Sequence, residues 1–167
     1  MKKEIIFVLI SILLLNFLAG CTQKEKIEGE DFSFVTLDGE VKKLSDYRGK
    51  IVIVDFMGAG CTPCHYQLVE LEKIYDMYSD KVEIISIDVW TIYGETADDV
   101  KNLIKEFEQY GLELKWTFGL DVDGILWNKY VIEKAVPTIY IFDENGQKIF
   151  YNVGITSYQE LEKYVLT

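Results

Sequence analysis

The chain has 167 residues and a formal net charge of −11 at pH 7. This acidity argues against binding to nucleic acid and to anionic lipid headgroups, because both are polyanionic ligands. Its three cysteines are too few for a fold that several disulfides hold together. His65 and Arg48 are the only histidine and arginine, so few side chains are available for catalysis.

The first twenty residues have the pattern of an export signal. Two lysines precede a run over residues 5–15 that is apolar except for Ser11 and is too short for a membrane span. Leu-Ala-Gly-Cys at positions 18–21 then resembles the lipobox of prokaryotic lipoproteins, in which the cysteine is lipidated and becomes the first residue. The alternative is an ordinary secreted protein in which this cysteine occurs by chance.

This pattern predicts the domain organisation. We expect a lipoprotein signal peptide over residues 1–20, lipidation of Cys21, a charged tether over 21–30 and one domain over 31–167. The lipid would anchor the protein on the extracytoplasmic face of the cell membrane.

The first half of the domain predicts a hairpin, two central strands and two helices. Asp38-Gly39 indicates a tight turn between two short strands. Residues 51–56 are apolar almost throughout, as is typical of a strand buried on both faces, and residues 82–89 predict a second central strand. Apolar residues at helical spacing predict the helices, namely Leu68, Leu71, Tyr75 and Tyr78 after Cys64, and Val100, Leu103, Ile104, Phe107 and Tyr110 after a capping box at Thr96 and Asp99.

The second half predicts a strand at 116–120, a short helix at 125–130 and a hairpin of strands 137–142 and 148–153 around an Asn-Gly turn. Tyr158, Leu161 and Val165 indicate a final helix. This order of elements predicts an α/β layered domain with a mixed sheet.

Cys61-Thr62-Pro63-Cys64 lies between the first central strand and the helix that follows it. Two thiols at this spacing can carry two electrons as a dithiol and a disulfide. The positive end of the helix lowers the pKa of the first thiol, so Cys61 is the predicted nucleophile. The strand–CxxC–helix arrangement therefore predicts a thiol–disulfide oxidoreductase.

The whole pattern resembles the thioredoxin-like superfamily. The leading hairpin, residues 45–50 and the helical insertion near 95–110 resemble its TlpA/ResA branch of membrane-anchored thiol–disulfide oxidoreductases. The resemblance implies a central mixed β-sheet flanked by helices, with an N-terminal β-hairpin extension and a helical insertion.

The resemblance also implies roles for individual residues. Cys61 matches the exposed nucleophile of the family and Cys64 the resolving thiol. Pro137 matches a cis-proline beside the CxxC, and Val136 would offer its backbone to a substrate chain. Asp55 matches an aspartate that moves a proton to or from the resolving thiol, and burial should raise its pKa. The alternatives are a trans proline that begins a strand and a structural aspartate.

Two positions depart from the family pattern. Gly60 stands where the family has tryptophan, which predicts a less shielded cysteine loop. Gln67 stands where the family commonly has glutamate, so any acid–base role of that glutamate must fall to Asp55 or to water.

The resemblance implies an enzyme that reduces disulfides of exported proteins, including those of cytochrome c maturation. We expect protein disulfide or dithiol substrates, a membrane thiol as electron donor, membrane attachment through the lipid, a monomer and no nucleic acid partner. No cofactor is expected beyond the redox-active Cys61–Cys64 disulfide.

Metal-based alternatives use the same cysteines. Cys61 to His65 satisfies C-x-x-C-H, the pattern of c-type haem attachment, with His65 as one axial ligand and Met57 or Met77 as the other. A zinc site is weaker, because Cys61, Cys64 and His65 supply at most three ligands. We therefore expect no metal.

A peroxiredoxin-like peroxidase is a further alternative. It would require a threonine where this chain has Gly58 and a supporting arginine, and the only arginine is Arg48. A thioredoxin-like binding module without activity is the last alternative.

Overall fold

The computed structural model describes residues 29–166, in which seven strands form one sheet between two layers of helices. The predicted signal peptide, most of the predicted tether and Cys21 lie outside the described residues. In chain order the strands are β1 (Ser33–Thr36), β2 (Val41–Lys43), β3 (Ile51–Met57), β4 (Val82–Asp88), β5 (Thr117–Leu120), β6 (Thr138–Phe142) and β7 (Lys148–Val153). The helices are α1 (Thr62–Tyr78), α2 (Ala97–Gln109), α3 (Ile125–Lys129) and α4 (Tyr158–Val165), with 3-10 turns at Leu44–Tyr47 and Trp90–Tyr93.

The sheet is mixed, as predicted. Its strand order is β2-β1-β5-β4-β3-β6-β7, and β3, β4 and β5 are parallel while the other neighbours are antiparallel. Both predicted hairpins are present, as β1–β2 and β6–β7. The sequence therefore predicted the fold class and the order of the elements correctly.

Alternate residues of the central strands face the two helical layers. Ile53 and Ile84 face the layer of α1, α2 and α4. Val54 and Ile85 face the layer of α3 and the first 3-10 turn. Because both faces are covered, β3 and β4 contain no exposed residue, in agreement with the prediction of two central strands.

Helix α2 begins as predicted and ends one residue before the last position of its predicted apolar stripe. The backbone N–H and the hydroxyl of Thr96 both donate to Asp99 Oδ2, at 2.8 and 2.7 Å. The helix ends at Gln109, so Tyr110 is its C-cap and is 77% exposed. Among residues 29–166, no helix has the length and apolar character needed to cross a membrane.

Glu30, which the sequence assigns to the tether, is bound to the domain. Its N–H donates to the carbonyl of Gly146 at 2.8 Å, and its carbonyl accepts from Arg48 Nη2 at 2.5 Å. The hydroxyl of Tyr130 donates to its carboxylate at 2.8 Å. The contacts of the domain therefore begin before residue 31.

Candidate active site

The CxxC lies at the edge of the sheet where β3 and β4 end side by side, with Met57 opposite Asp88. The 58–60 loop leads from β3 to Cys61. The carboxyl ends of neighbouring parallel strands form a crevice that α/β proteins commonly use as an active site. The sheet topology thus brings residues that follow β3 and β4 to one place.

Cys61 and Cys64 form a disulfide at the start of α1, with their Cα atoms 5.2 Å apart. Cys61 is the N-cap of the helix, and its Sγ accepts from the N–H of Cys64 at 3.2 Å. This amide and the helix dipole would stabilise a thiolate on Cys61 after reduction. Cys64 is fully buried, whereas Cys61 retains 4% exposure, so Cys61 is the more accessible of the two residues.

The Val136-Pro137 peptide bond is cis, in agreement with the prediction. The carbonyl oxygen of Val136 lies 3.7 Å from Cys61 Sγ, so the fold joins two segments that are 75 residues apart in sequence. The hydroxyl of Thr138 donates to the carbonyl of Ala135 at 2.7 Å and fixes the turn around the proline. Substrate binding by Val136 and Pro137 stays a prediction.

Asp55 is fully buried within β3. It faces the same layer as Cys64, because its strand neighbours on that face, Ile53 and Met57, belong to the core cluster that contains Cys64. Its Oδ2 accepts from the hydroxyl of Ser86 at 3.2 Å, and Oδ1 has no hydrogen-bond partner within the described part of the chain. Burial raises the pKa of Asp55 to about 7, so this carboxyl can exchange a proton near neutral pH.

Sequence reasoning missed two further carboxyl groups, Asp88 and Glu95. Glu95 accepts the N–H of Ala59 on Oε2 at 2.7 Å and the N–H of Gly60 on Oε1 at 2.9 Å. Asp88 is fully buried and accepts from Ala59 N–H at 3.3 Å and from Trp90 N–H at 2.8 Å. Burial, and then the neighbouring Glu95 carboxylate, raise the pKa of Asp88. Asp88 is the last residue of β4, the strand beside β3, and this position in the sequence was the signal that could have identified it.

The less shielded loop that Gly60 predicts stays a prediction, since Gly60 is itself exposed while Cys61 is 4% exposed. Trp90 packs over Gly58, where an added Cβ would overlap the indole ring. Glu95 lies beside Gly60, where an added Cβ would be 3.0 Å from Oε1. The segment after β4 therefore contacts the loop at both Gly58 and Gly60.

Gln67 is fully buried and ties α1 to the segment that precedes α4. Its Oε1 accepts from the N–H of Thr156 at 2.6 Å, and its Nε2 donates to the carbonyl of Thr156 at 3.2 Å. The amide is suited to this pair of bonds because it is a donor and an acceptor at once.

His65 contacts the same loop. Its Nε2 lies at hydrogen-bond distance, 2.7 Å, from the carbonyl of Ala59, and its ring meets Phe107 edge-on. Met77 lies twelve residues further along α1, about 18 Å along the helix axis, so His65 and Met77 cannot bind one iron atom. Met57 is fully buried in the core. The described residues contain no group of three or more His, Cys, Asp or Glu side chains that could hold a metal ion.

Arg48 lies far from the disulfide. Arg48 lies before the seven-residue strand β3 and Cys61 lies after it, so the length of the strand, about 23 Å, separates the two residues. Arg48 binds the carbonyl of Glu30 instead. This placement argues against a peroxidase in which an arginine supports Cys61.

Known proteins resemble this chain over most of its length. The AhpC/TSA family model matches residues 28–149. Thiol-disulfide oxidoreductase ResA of Bacillus cereus is 31% identical and covers 98% of this chain and 96% of its own. Thioredoxin-like protein YneN of Bacillus subtilis is 29% identical, over 84% of this chain and 78% of its own.

Solved structures have a similar fold. StoA from Bacillus subtilis has a TM-score of 0.64 at 24% identity, covering 81% of this chain and 96% of its own. The pneumococcal exposed lipoprotein thioredoxin Etrx1 from Streptococcus pneumoniae has a TM-score of 0.66 at 25% identity, covering 82% and 98%. The chain therefore belongs to the AhpC/TSA family and is a thiol–disulfide oxidoreductase with a thioredoxin-like fold.

Proposed function

We propose that this enzyme reduces disulfides of exported proteins while a lipid on Cys21 holds it at the extracytoplasmic face of the membrane. The apolar run and lipobox-like tetrapeptide support the anchor. The likeness to a solved protein described as an exposed lipoprotein thioredoxin supports the location. Haem-attachment cysteines of exported apocytochromes are one substrate class that this function would serve.

The proposed reaction begins with the reduced enzyme. The Cys61 thiolate attacks one sulfur of the partner disulfide, a mixed disulfide forms, and the other partner sulfur leaves as a thiolate. Cys64 then loses its proton and attacks Cys61 Sγ, which releases the second partner sulfur. The products are a partner dithiol and the Cys61–Cys64 disulfide. Two electrons pass to the partner, and its two thiolates take up one proton equivalent to that released by Cys64 and one from solvent.

Other residues assist this exchange. Asp55 takes the proton from Cys64 as it becomes a nucleophile, and the Val136-Pro137 segment pairs with the backbone of the substrate chain. A thiol donor in the membrane returns two electrons to the disulfide. The enzyme acts as a monomer and needs no dissociable cofactor.

The contact between Cys61 Sγ and the Val136 carbonyl carries the proposal, because it sets the reactive sulfur beside backbone that a substrate strand can pair with. A redox titration in thiol/disulfide buffers, following thiols, tests the direction. We expect a two-electron midpoint near that of thioredoxin, about −270 mV. A midpoint of about −120 to −180 mV would identify an oxidase or isomerase instead.

The anchor has its own test. Cells that express the protein should incorporate labelled fatty acid into the wild type and not into Cys21→Ser. Equal labelling of both proteins, or labelling of neither, would contradict lipidation at Cys21.

A further inference from the structure

The 58–60 loop is held from two sides at Ala59. Glu95 accepts its N–H at 2.7 Å, and His65 Nε2 lies 2.7 Å from its carbonyl oxygen. Glu95 also accepts the next amide, that of Gly60, at 2.9 Å. The peptide units immediately before Cys61 are therefore fixed by side chains from the 88–95 segment and from α1.

We propose that Glu95 is a positioning residue for the nucleophile Cys61. By accepting the amides of Ala59 and Gly60, it fixes the loop before Cys61 and so directs Cys61 Sγ towards the reacting sulfur of the partner protein. This inference rests on the oxidoreductase activity and applies in either direction of exchange. It also explains Gly60, because a side chain there would meet the Glu95 carboxylate at 3.0 Å.

Asp88 supports the clamp by holding a proton. Its Oδ2 approaches the same amide of Ala59, at 3.3 Å, that Glu95 Oε2 accepts at 2.7 Å. Two carboxylates that converge on one N–H repel each other when both are charged. A protonated Asp88 removes that repulsion and can donate to Glu95. When Asp88 loses its proton at alkaline pH, Glu95 should withdraw from the loop.

Other titratable groups lie near Asp88 and Glu95, and a pH-dependent test must distinguish their titration from that of Asp88. A cavity of about 440 Å³ adjoins Glu95 and opens between the loop and α2. Asp55 faces the same helical layer from β3. The titratable groups that line the cavity besides Glu95 are His65, Tyr93, Asp99 and Glu106.

The test measures the reaction of the reduced full-length chain with 4,4′-dithiodipyridine by stopped flow between pH 6 and 10. Glu95→Gln keeps the shape but turns an NH₂ towards one of the two amides, and we expect a rate about tenfold lower. Asp88→Asn donates permanently to Glu95, so the ratio of its rate to that of the wild type should rise with pH. Glu106→Gln removes one carboxylate from the same cavity without a hydrogen bond to the loop, and it should follow the wild type.

The proposal is wrong if Glu95→Gln reacts as fast as the wild type at every pH, or if Glu106→Gln slows the reaction equally. NMR of the wild type gives a second test that does not depend on the folding of a variant. The amide shifts of Ala59 and Gly60 should titrate together with the carboxyl carbon of Asp88. Separate titrations would overturn the shared-proton clamp.

Discussion

The two sulfurs of the disulfide have contrasting surroundings. Cys64 lies in a core layer that Asp55 also faces, and Asp55 has one hydrogen bond and a raised pKa. Cys61 is preceded by a loop whose amides and carbonyl are bonded to Glu95 and His65. The surroundings of Cys64 therefore favour exchange of a proton, whereas the surroundings of Cys61 fix the position of the nucleophile. Asp55 serves the first task and Glu95 the second.

The largest expected effect distinguishes the roles of the two cysteines. Cys64→Ser leaves the nucleophile without a resolving thiol, so it should accumulate mixed disulfides with substrate proteins. Cys61→Ser leaves only a fully buried thiol, so it should accumulate almost none. Non-reducing gel electrophoresis after acid quenching measures both. Equal accumulation in the two variants would contradict the assigned roles.

The second effect is the pH dependence of stability. The folded pKa of Asp55, about 7, lies above its unfolded value of about 3.9, so folding favours the protonated form. Stability should therefore fall as pH rises towards 7, by about 3 kcal/mol between pH 5 and 8 from this group. Asp88 contributes with the same sign, because its pKa is also raised.

Urea unfolding of the oxidised protein across this range measures the fall. Asp55→Asn removes the titrating group, so its stability should depend less on pH than that of the wild type. If the two stability curves run parallel between pH 5 and 8, Asp55 does not titrate in this window.

The third effect is kinetic. Asp55→Asn cannot accept the proton of Cys64, so resolution of a mixed disulfide should slow by about a hundredfold at neutral pH. The initial attack by Cys61 should change little, because Cys61 attacks as a thiolate and needs no proton acceptor. Rapid-quench measurement of the two steps separates these rates. A loss shared equally by both steps would point to a structural role for Asp55.

The sequence predicted the sheet, the helices and the redox pair because these depend on local spacing and burial. It also placed the cis-proline, through resemblance. It did not predict the Glu95 clamp, because Glu95 approaches the 58–60 loop only through the turn at Trp90–Tyr93, and no local pattern encodes that approach. For the same reason the sequence did not show that the amide of Gly60 bonds to a segment more than thirty residues away.

The smallest effect compares two glycines of the loop. Alanine at position 58 must displace the indole ring of Trp90, which packs against both core layers, so we expect a loss of about 2 kcal/mol in unfolding free energy. Alanine at position 60 meets only the end of the flexible Glu95 side chain, so its loss should be under about 1 kcal/mol. Gly60→Ala should nevertheless slow thiol exchange several-fold, since it pushes Glu95 away from the amides. Because the added methyl of Gly58→Ala meets Trp90 and not the Glu95 carboxylate, this variant should slow exchange less than Gly60→Ala despite its greater cost in stability. The reverse order of rates would show that loop packing, rather than the carboxylate clamp, positions Cys61.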